Sequence, residues 1–388
     1  MTPVAPVFRA YTHKVWNKVF GIVHLKPEGS IKGNVLLSYI TEPFTYAPWE
    51  KFPTFHTNYW ECHEIARQFL VRGYAVDVIN TTNDTFIPRK KYDFFVDADA
   101  NIERLTPLLG PACKKILHIT ICHWMINNTA EYDRISHIWK NRGIVLMPRR
   151  QYRTTRAIEY ADCATVLGNK FTQDTYAYAK KQLYQIPLST TTRFAFPERN
   201  YSEAKNSFIW MGGGGAALKG LDVTLEAFAK MPDKKLFICG GVSSERDFEK
   251  AFWKELYETP NISYLGRVDV AGEQFKKLAQ SCAFVVYPST SEGQSGAIIQ
   301  AMHAGLVPLI SYETGVDVHD FGTILPENSV EAVIAEVQKL SSLPDEKVAS
   351  MARATWEFVN KHHTRESFSA AYEAFLTDVL KIAPPSKK

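Results

Sequence analysis

Between Cys282 and Ile310 the chain runs from one apolar segment, Cys282-Ala283-Phe284-Val285-Val286-Tyr287, to another, Leu306–Ile310, with a loop and a helix between them. Pro288 ends the first segment, because it has no N–H to give a sheet ladder. A Ser/Thr/Glu/Gly loop follows, Ala297–Ala304 has helical spacing, and Gly305 closes it. Strand, loop, helix and strand in so short a span is a βαβ unit, which commits the chain to a parallel sheet covered by helices. The crevice loop of the unit holds an acid, Glu292. Ligands of open α/β sheets bind at the carboxyl ends of strands. A single loop carboxylate is more often merely solvated, so its surroundings decide what Glu292 means.

The same alternation recurs along the chain. Val35–Ile40 is the first strong strand, Tyr59–Arg72 is a helix stopped by Gly73, and Tyr74–Ile79 is a second strand. Tyr92–Val96, Lys115–Ile121, Gly143–Met147 and Cys163–Leu167 read as further short strands. In the second half, Ser207–Met211, Lys235–Cys239, Ile262–Leu265 and Phe321–Leu325 do the same, and helices over 329–341, 345–361 and 365–381 close the chain. A length of 388 residues exceeds one compact core. The Thr/Pro/Arg-rich segment Ile186–Pro197 has the composition of a linker. The expected organisation is a first domain over 1–195, with 1–33 an irregular extension, and a second over 196–365. A terminal helix within 366–388, free to pack back on the first domain, precedes a frayed tail.

Composition limits the functional classes. With 45% hydrophobic and 22% charged residues this is an ordinary globular chain. Its net charge of +4 permits an anionic substrate or a peripheral membrane contact, but it is no nucleic-acid footprint. Six cysteines (Cys62, Cys113, Cys122, Cys163, Cys239, Cys282) have no metal-ligand spacing, so reduced buried thiols and a cytoplasmic setting are expected. Neither a signal peptide nor a membrane-spanning apolar run is legible.

Two further clusters carry chemistry. Directly after the Ser207–Met211 strand come Gly212, Gly213, Gly214 and Gly215, then Ala216-Ala217-Leu218-Lys219-Gly220 and a helix with Asp222 as its expected N-cap. Glycines let backbone N–H groups approach a ligand, and a helix start with Lys219 behind them makes a phosphate cradle. The run also fits G-x-G-x-x-A, but the dinucleotide reading wants an acid at the end of the next strand, which ends instead in Gly240-Gly241. A P-loop fails as well, since the order is Lys219-Gly220-Leu221. In the first half, the Lys115–Ile121 strand delivers His123 and Trp124 to a carboxyl strand end. A histidine there is more often structural, although a sugar ring can lie on the adjacent indole. The run Lys140–Arg156, including Arg149 and Arg150, is basic without an acid. It reads either as a solvated face or as a site for an anionic acceptor or membrane surface.

The order of glycine loop, Lys219-Gly220, FICGG, YLGRVD and PSTSEGQSGAIIQAMHAGLVPLIS resembles the nucleotide-binding domain of the retaining glycosyltransferases of family 4 (glycosyl transferases group 1). VLLSYI, ECHEIARQFLVRGYAVDVI and YADCATVLGNKFTQDTY resemble, more loosely, the acceptor domain of the same enzymes. The resemblance implies an α/β GT-B fold, two facing Rossmann-like domains with a cleft between them. It implies that Glu292 holds the donor sugar, that Lys219 neutralises the leaving diphosphate, and that His123 is the histidine of the acceptor crevice. Gly293, Gln294, Ser295 and Gly296 match the segment approaching the sugar and phosphates, and Arg267 and Val268 the segment beside the nucleobase. Two positions depart from the family. Gln300 stands where a second glutamate would bind the ribose, and Gly213 stands where an arginine would face the phosphates.

The implied activity is transfer of a sugar, with retention, from a nucleoside diphosphate to a hydroxyl of a glycan or lipid-linked acceptor. No cofactor and no metal are expected, and polysaccharide or lipid-linked glycan synthesis is the implied setting. A nucleotide-sugar epimerase, a non-catalytic nucleotide-sugar-binding subunit and a dehydrogenase are the alternatives. The second is motivated by Gly213 and Gln300.

Overall fold

The computed structural model describes residues 21–47 and 50–383. Residues 1–20, most of the expected extension, and the expected frayed tail over 384–388 lie outside them. The first sheet contains β1 (Ile22–Leu25), β2 (Gly33–Tyr39), β3 (Tyr74–Asn80), β4 (Phe94–Asp97), β5 (Lys114–Ile119), β6 (Cys163–Val166) and β7 (Leu183–Gln185). Their order is β1-β3-β2-β4-β5-β6-β7, all parallel except β1 against β3. The second sheet contains β8 (Ser207–Gly212), β9 (Lys235–Gly240), β10 (Ile262–Gly266), β11 (Phe284–Tyr287), β12 (Val307–Ile310) and β13 (Thr323–Ile324). It is wholly parallel, in the order β10-β9-β8-β11-β12-β13.

Helices cover both faces of a parallel sheet, so its inner strands must be apolar throughout. That is why β8 and β11 read as continuous hydrophobic runs, with Phe208, Ile209, Trp210 and Phe284–Tyr287 all inaccessible. In the second sheet the strand order reverses between β8 and β11, which are hydrogen-bonded neighbours. The loops leaving their carboxyl ends flank the crevice that such a reversal opens. Those loops are the glycine run and the segment carrying Glu292. Thr290 ties them together, its N–H and hydroxyl both donating to the Leu218 carbonyl at 2.9 and 3.1 Å.

After the second domain the chain returns to the first. Helix Arg365–Ala374 packs on helix Asn58–Leu70: Phe368 meets Trp60 with ring centroids 5.7 Å apart, Ser369 donates to Glu64 at 2.8 Å, and Arg72 pairs with Glu373 at 3.2 Å.

Three local expectations are corrected. Residues 22–25 are not irregular. They form an edge strand, anchored by His24 Nδ1 at 2.7 Å from Asp77. Gly143–Met147 is not a strand. Gly143 takes φ +68° to cap helix Trp124–Arg142, and the following backbone is drawn off by carboxylates, Met147 N–H donating to Asp247 at 2.7 Å. Asp222 is no N-cap. Gly220, at φ +68°, occupies that position, and Asp222 lies inside helix Leu221–Ala229 as the buried partner of Arg134.

Candidate active site

Lys219 and Glu292 meet at the β8/β11 crevice. Lys219 Nζ lies 3.7 Å from Glu292 Oε1, which also accepts the Tyr287 hydroxyl at 2.9 Å. Burial pulls the Lys219 ammonium below its ordinary pKa, with Arg150 adding to the effect and Glu292 opposing it. The same carboxylate, after burial, pushes the Tyr287 phenol upward. A cation and a carboxylate held together in a nearly dry crevice can address a charged, hydroxylated ligand with electrostatics that water does not dilute.

The glycine run is partly spoken for. Gly215 N–H donates to Glu245 Oε1 at 2.6 Å, and Ala216 N–H reaches Oε2 of the same carboxylate at 3.2 Å. Burial raises the Glu245 pKa, while those two amides and Arg149 act against the rise. The acid missing from the end of β9 therefore exists a few residues later, but it folds back on the glycine loop. Gly293 is needed for close approach, since a Cβ there would overlap the Thr120 carbonyl at the end of the β5 strand. Its own carbonyl accepts from Thr172 at 2.8 Å, and the Glu292 carbonyl accepts from Cys122 N–H at 3.3 Å. The Glu292 loop is thus clamped onto the first domain.

Other expected site residues are committed elsewhere. Gln300 Oε1 accepts from Thr190 and Thr191 hydroxyls at 3.1 and 3.0 Å and from Thr192 N–H at 3.2 Å, and its Nε2 donates to the Thr192 carbonyl at 2.7 Å. Its carboxamide is spent on the linker between the domains. Gln294 likewise accepts from Leu188 N–H at 2.9 Å. Ser295 caps helix Gly296–His303 and donates its N–H to Thr314, and Gly296 has room for a Cβ against Leu188. Arg267 lies across Gly241 at the end of β9, and Val268 packs partly into the core.

His123 turns away from Glu292. Its Nδ1 accepts from Met125 N–H at 3.3 Å as the cap of helix Trp124–Arg142, and Nε2 sits 3.4 Å from the Tyr178 hydroxyl. With Trp124, whose indole donates to the Thr155 carbonyl at 2.7 Å, it lines a pocket in the first domain shared with Tyr152, Tyr176 and Asp99. Among the described residues, His56, exposed by its surface, feels the charges of the crevice: burial of its ring, Arg150 and Lys219 lower its pKa, and its Asn58 hydrogen bond and Glu292 oppose them. Nothing in the proline-broken segment around His56 marks it in sequence.

The basic run is largely neutralised. Arg149 pairs with Asp247 at 2.7 Å, Arg142 with Glu226 and Glu255 at 2.8 and 2.7 Å, and Arg153 with Asp99 at 3.0 Å. Arg149 therefore bridges the domains. Arg150, expected on the acceptor side, lies on the glycine loop instead, where a Cβ at Gly215 would overlap it.

Two Rossmann-like domains joined at a cleft, with the second sheet's crevice facing the first, are the GT-B architecture. Residues 205–342 match the family model of glycosyl transferases group 1. No curated protein matches the chain in sequence. Among solved structures, sucrose-phosphate synthase from Thermosynechococcus elongatus superposes with a TM-score of 0.60 at 13% identity, over 90% of this chain and 99% of that one. HepE of Anabaena, solved with UDP and glucose, gives 0.56 at 12% identity, over 89% and 100%. TarM of S. aureus, solved with UDP among its ligands, gives 0.50 at 13% identity over 72% of this chain. This chain spans about half, 54%, of TarM.

Proposed function

We propose that the protein is a retaining glycosyltransferase that moves a sugar from a nucleoside diphosphate to an acceptor hydroxyl in polysaccharide or lipid-linked glycan synthesis. The observation that carries this reading is the buried Lys219–Glu292 pair at the β8/β11 crevice, inside the segment that matches glycosyl transferases group 1. UDP in the HepE and TarM structures makes UDP-sugars the first donors to try.

In the proposed reaction the bond between the sugar C1 and the β-phosphate oxygen breaks, and its electron pair stays on the phosphate. The acceptor oxygen bonds to C1 on the same face, and its proton passes to the departing phosphate oxygen. Lys219 neutralises the leaving charge, and Glu292 accepts a hydrogen bond from a sugar hydroxyl. Tyr287 and Lys219 both address Oε1, so Oε2 is the oxygen offered to the sugar. The pocket beside His123 and Trp124 takes the acceptor, with Trp124, Tyr152 and Tyr176 as aromatic walls. Arg153 in its lining is paired with Asp99, which favours an uncharged glycan there over an anionic one. The chemistry asks only for cationic side chains at the diphosphate.

A thermal-shift panel of UDP-, GDP-, ADP- and dTDP-sugars identifies the donor, and sugar transfer is then followed with Glu292→Ala and Lys219→Ala. Near wild-type rates in both variants would sink the assignment. One observation favours a second reading, a nucleotide-sugar-binding subunit without transfer: Gln300 is spent on Thr190–Thr192 and so is not offered to a ribose. Donor binding without turnover on any acceptor would select it.

A further inference from the structure

We propose that Arg150, which belongs to the first domain, is the second cation of the donor-phosphate site in the second domain. The inference rests on the reading of that site as one for a nucleoside diphosphate.

Arg150 lies directly on the glycine loop. Gly215 has φ +88°, and a Cβ there would overlap the Arg150 methylenes, so the loop needs glycine at this position both for its backbone and for the arginine. The guanidinium donates through Nη2 to the Tyr152 hydroxyl at 2.9 Å, while its Nε is buried without a partner. Burial works against its charge, and the neighbouring Tyr152 and Glu292 more than offset that. Lys219 also feels the Arg150 charge. One cation from each domain thus lies at the crevice: Lys219 against Glu292, and Arg150 on the Gly215 turn of the same loop, within electrostatic reach of both.

The chain spends several groups on holding Arg150 there. Glu131 Oε1 accepts the N–H groups of Arg149 and Arg150 at 2.6 and 2.8 Å, which fixes the backbone. Asn127 donates to the Arg150 carbonyl at 2.6 Å and accepts from Ser291 Oγ at 2.9 Å, one residue from Glu292. The arginine and the Glu292 loop are thereby joined through one buried side chain across the domain boundary.

Chemistry supplies the need. Glu245 occupies the Gly215 and Ala216 amides, so the loop offers an anion less than its glycines promise. Among the described residues, a Cβ at Gly213 would meet only Lys219 Nζ, 3.9 Å away, which leaves open space beside the ammonium. A phosphate entering that space has Lys219 beside it and Arg150 two residues further along the loop, at Gly215. A planar guanidinium adds paired, directional hydrogen bonds that an ammonium does not. Because the two cations come from different domains, full stabilisation of the leaving diphosphate requires the domains to be together.

The test titrates wild type and Arg150→Gln with UDP, GDP, ADP and dTDP and with the matching monophosphates, by calorimetry at low salt. Arg150→Gln should weaken the preferred diphosphate at least tenfold and its monophosphate less than threefold, with Arg150→Lys between the two. Glu131→Gln, which keeps the guanidinium but loosens its backbone, should show the same selectivity at smaller size, and it serves if Arg150→Gln does not fold. If wild type binds a diphosphate and the folded variants bind it within twofold, the role of Arg150 is overturned and the site reading stands. If wild type binds none of the four, the site reading falls, and the role of Arg150 falls with it.

Discussion

Lys219 Nζ stands 3.7 Å from Glu292 Oε1, with only 10% and 11% of the two side chains open to solvent. A pair this dry is coupled: removing either member leaves the other a buried charge with weaker compensation. Glu292→Gln and Lys219→Met should each lower kcat/KM for transfer by roughly 100-fold or more, as loss of a preorganised electrostatic group does. Each should also lower Tm, and the double variant should recover part of the Tm without any of the activity. Steady-state kinetics and thermal unfolding on the same preparations separate the two effects.

Glu245 puts a carboxylate where the glycine loop would otherwise present amides to an anion. Glu245→Gln keeps an acceptor oxygen for Gly215 and removes the charge. Diphosphate affinity should rise severalfold, corresponding to about 1 kcal/mol for a unit charge several ångströms away at intermediate dielectric. Calorimetric titration measures it, and an unchanged Kd would show that the phosphates lie away from this loop.

Arg134 and Asp222 form a buried bridge between the domains, and Arg134 Nε and Asp222 Oδ1 have no partner. An incompletely satisfied buried pair costs desolvation that it does not fully recover. Arg134→Met alone should destabilise by about 3 kcal/mol, because it strands the Asp222 carboxylate. Arg134→Met with Asp222→Leu should return most of that loss. A double-mutant cycle by urea denaturation reads both.

Burial holds His118, His303 and His363 down to about 4. Their unfolded forms protonate near pH 6.5, so between 6.5 and 4 the unfolded chain binds more protons and stability falls as the pH drops. Asp97 works the other way. Burial raises it to about 7, so from pH 7 down to 3.8 the folded state binds the extra proton and gains stability on acidification. Between pH 6.5 and 4 the three histidines outweigh Asp97, and from these four strongly shifted groups the expectation is loss of stability below pH 6.5. Asp97→Asn, which keeps an acceptor for Ile102 N–H, should steepen that loss in denaturation curves taken from pH 7.5 to 4.5.

The apolar runs made β8, β9, β11 and β12 legible, because strands buried on both faces have no polar positions to obscure them. β1 and β7 were not, being four and three residues long, with β1 set among glycine and proline. Gly143–Met147 has the hydropathy of a strand, but the Asp247 carboxylate takes the Met147 N–H, and just beyond the segment Glu131 takes that of Arg149. Lys219 and Glu292 could be paired in advance, since each follows a strand of one sheet. His56, Glu245 and the true place of Arg150 could not. Their roles depend on approaches between segments far apart in sequence, and local periodicity carries no record of those.

Gln300 has one more consequence. Its amide nitrogen donates to the Thr192 carbonyl while its oxygen gathers three donors from the same linker. A glutamate could keep the second set but has nothing to give the first, and it would set a negative charge against a carbonyl. Gln300→Glu would therefore loosen the joint between the domains before it could serve any ligand. The glutamine and the linker fit each other, and a glutamate at this position would call for a linker with a different set of donors.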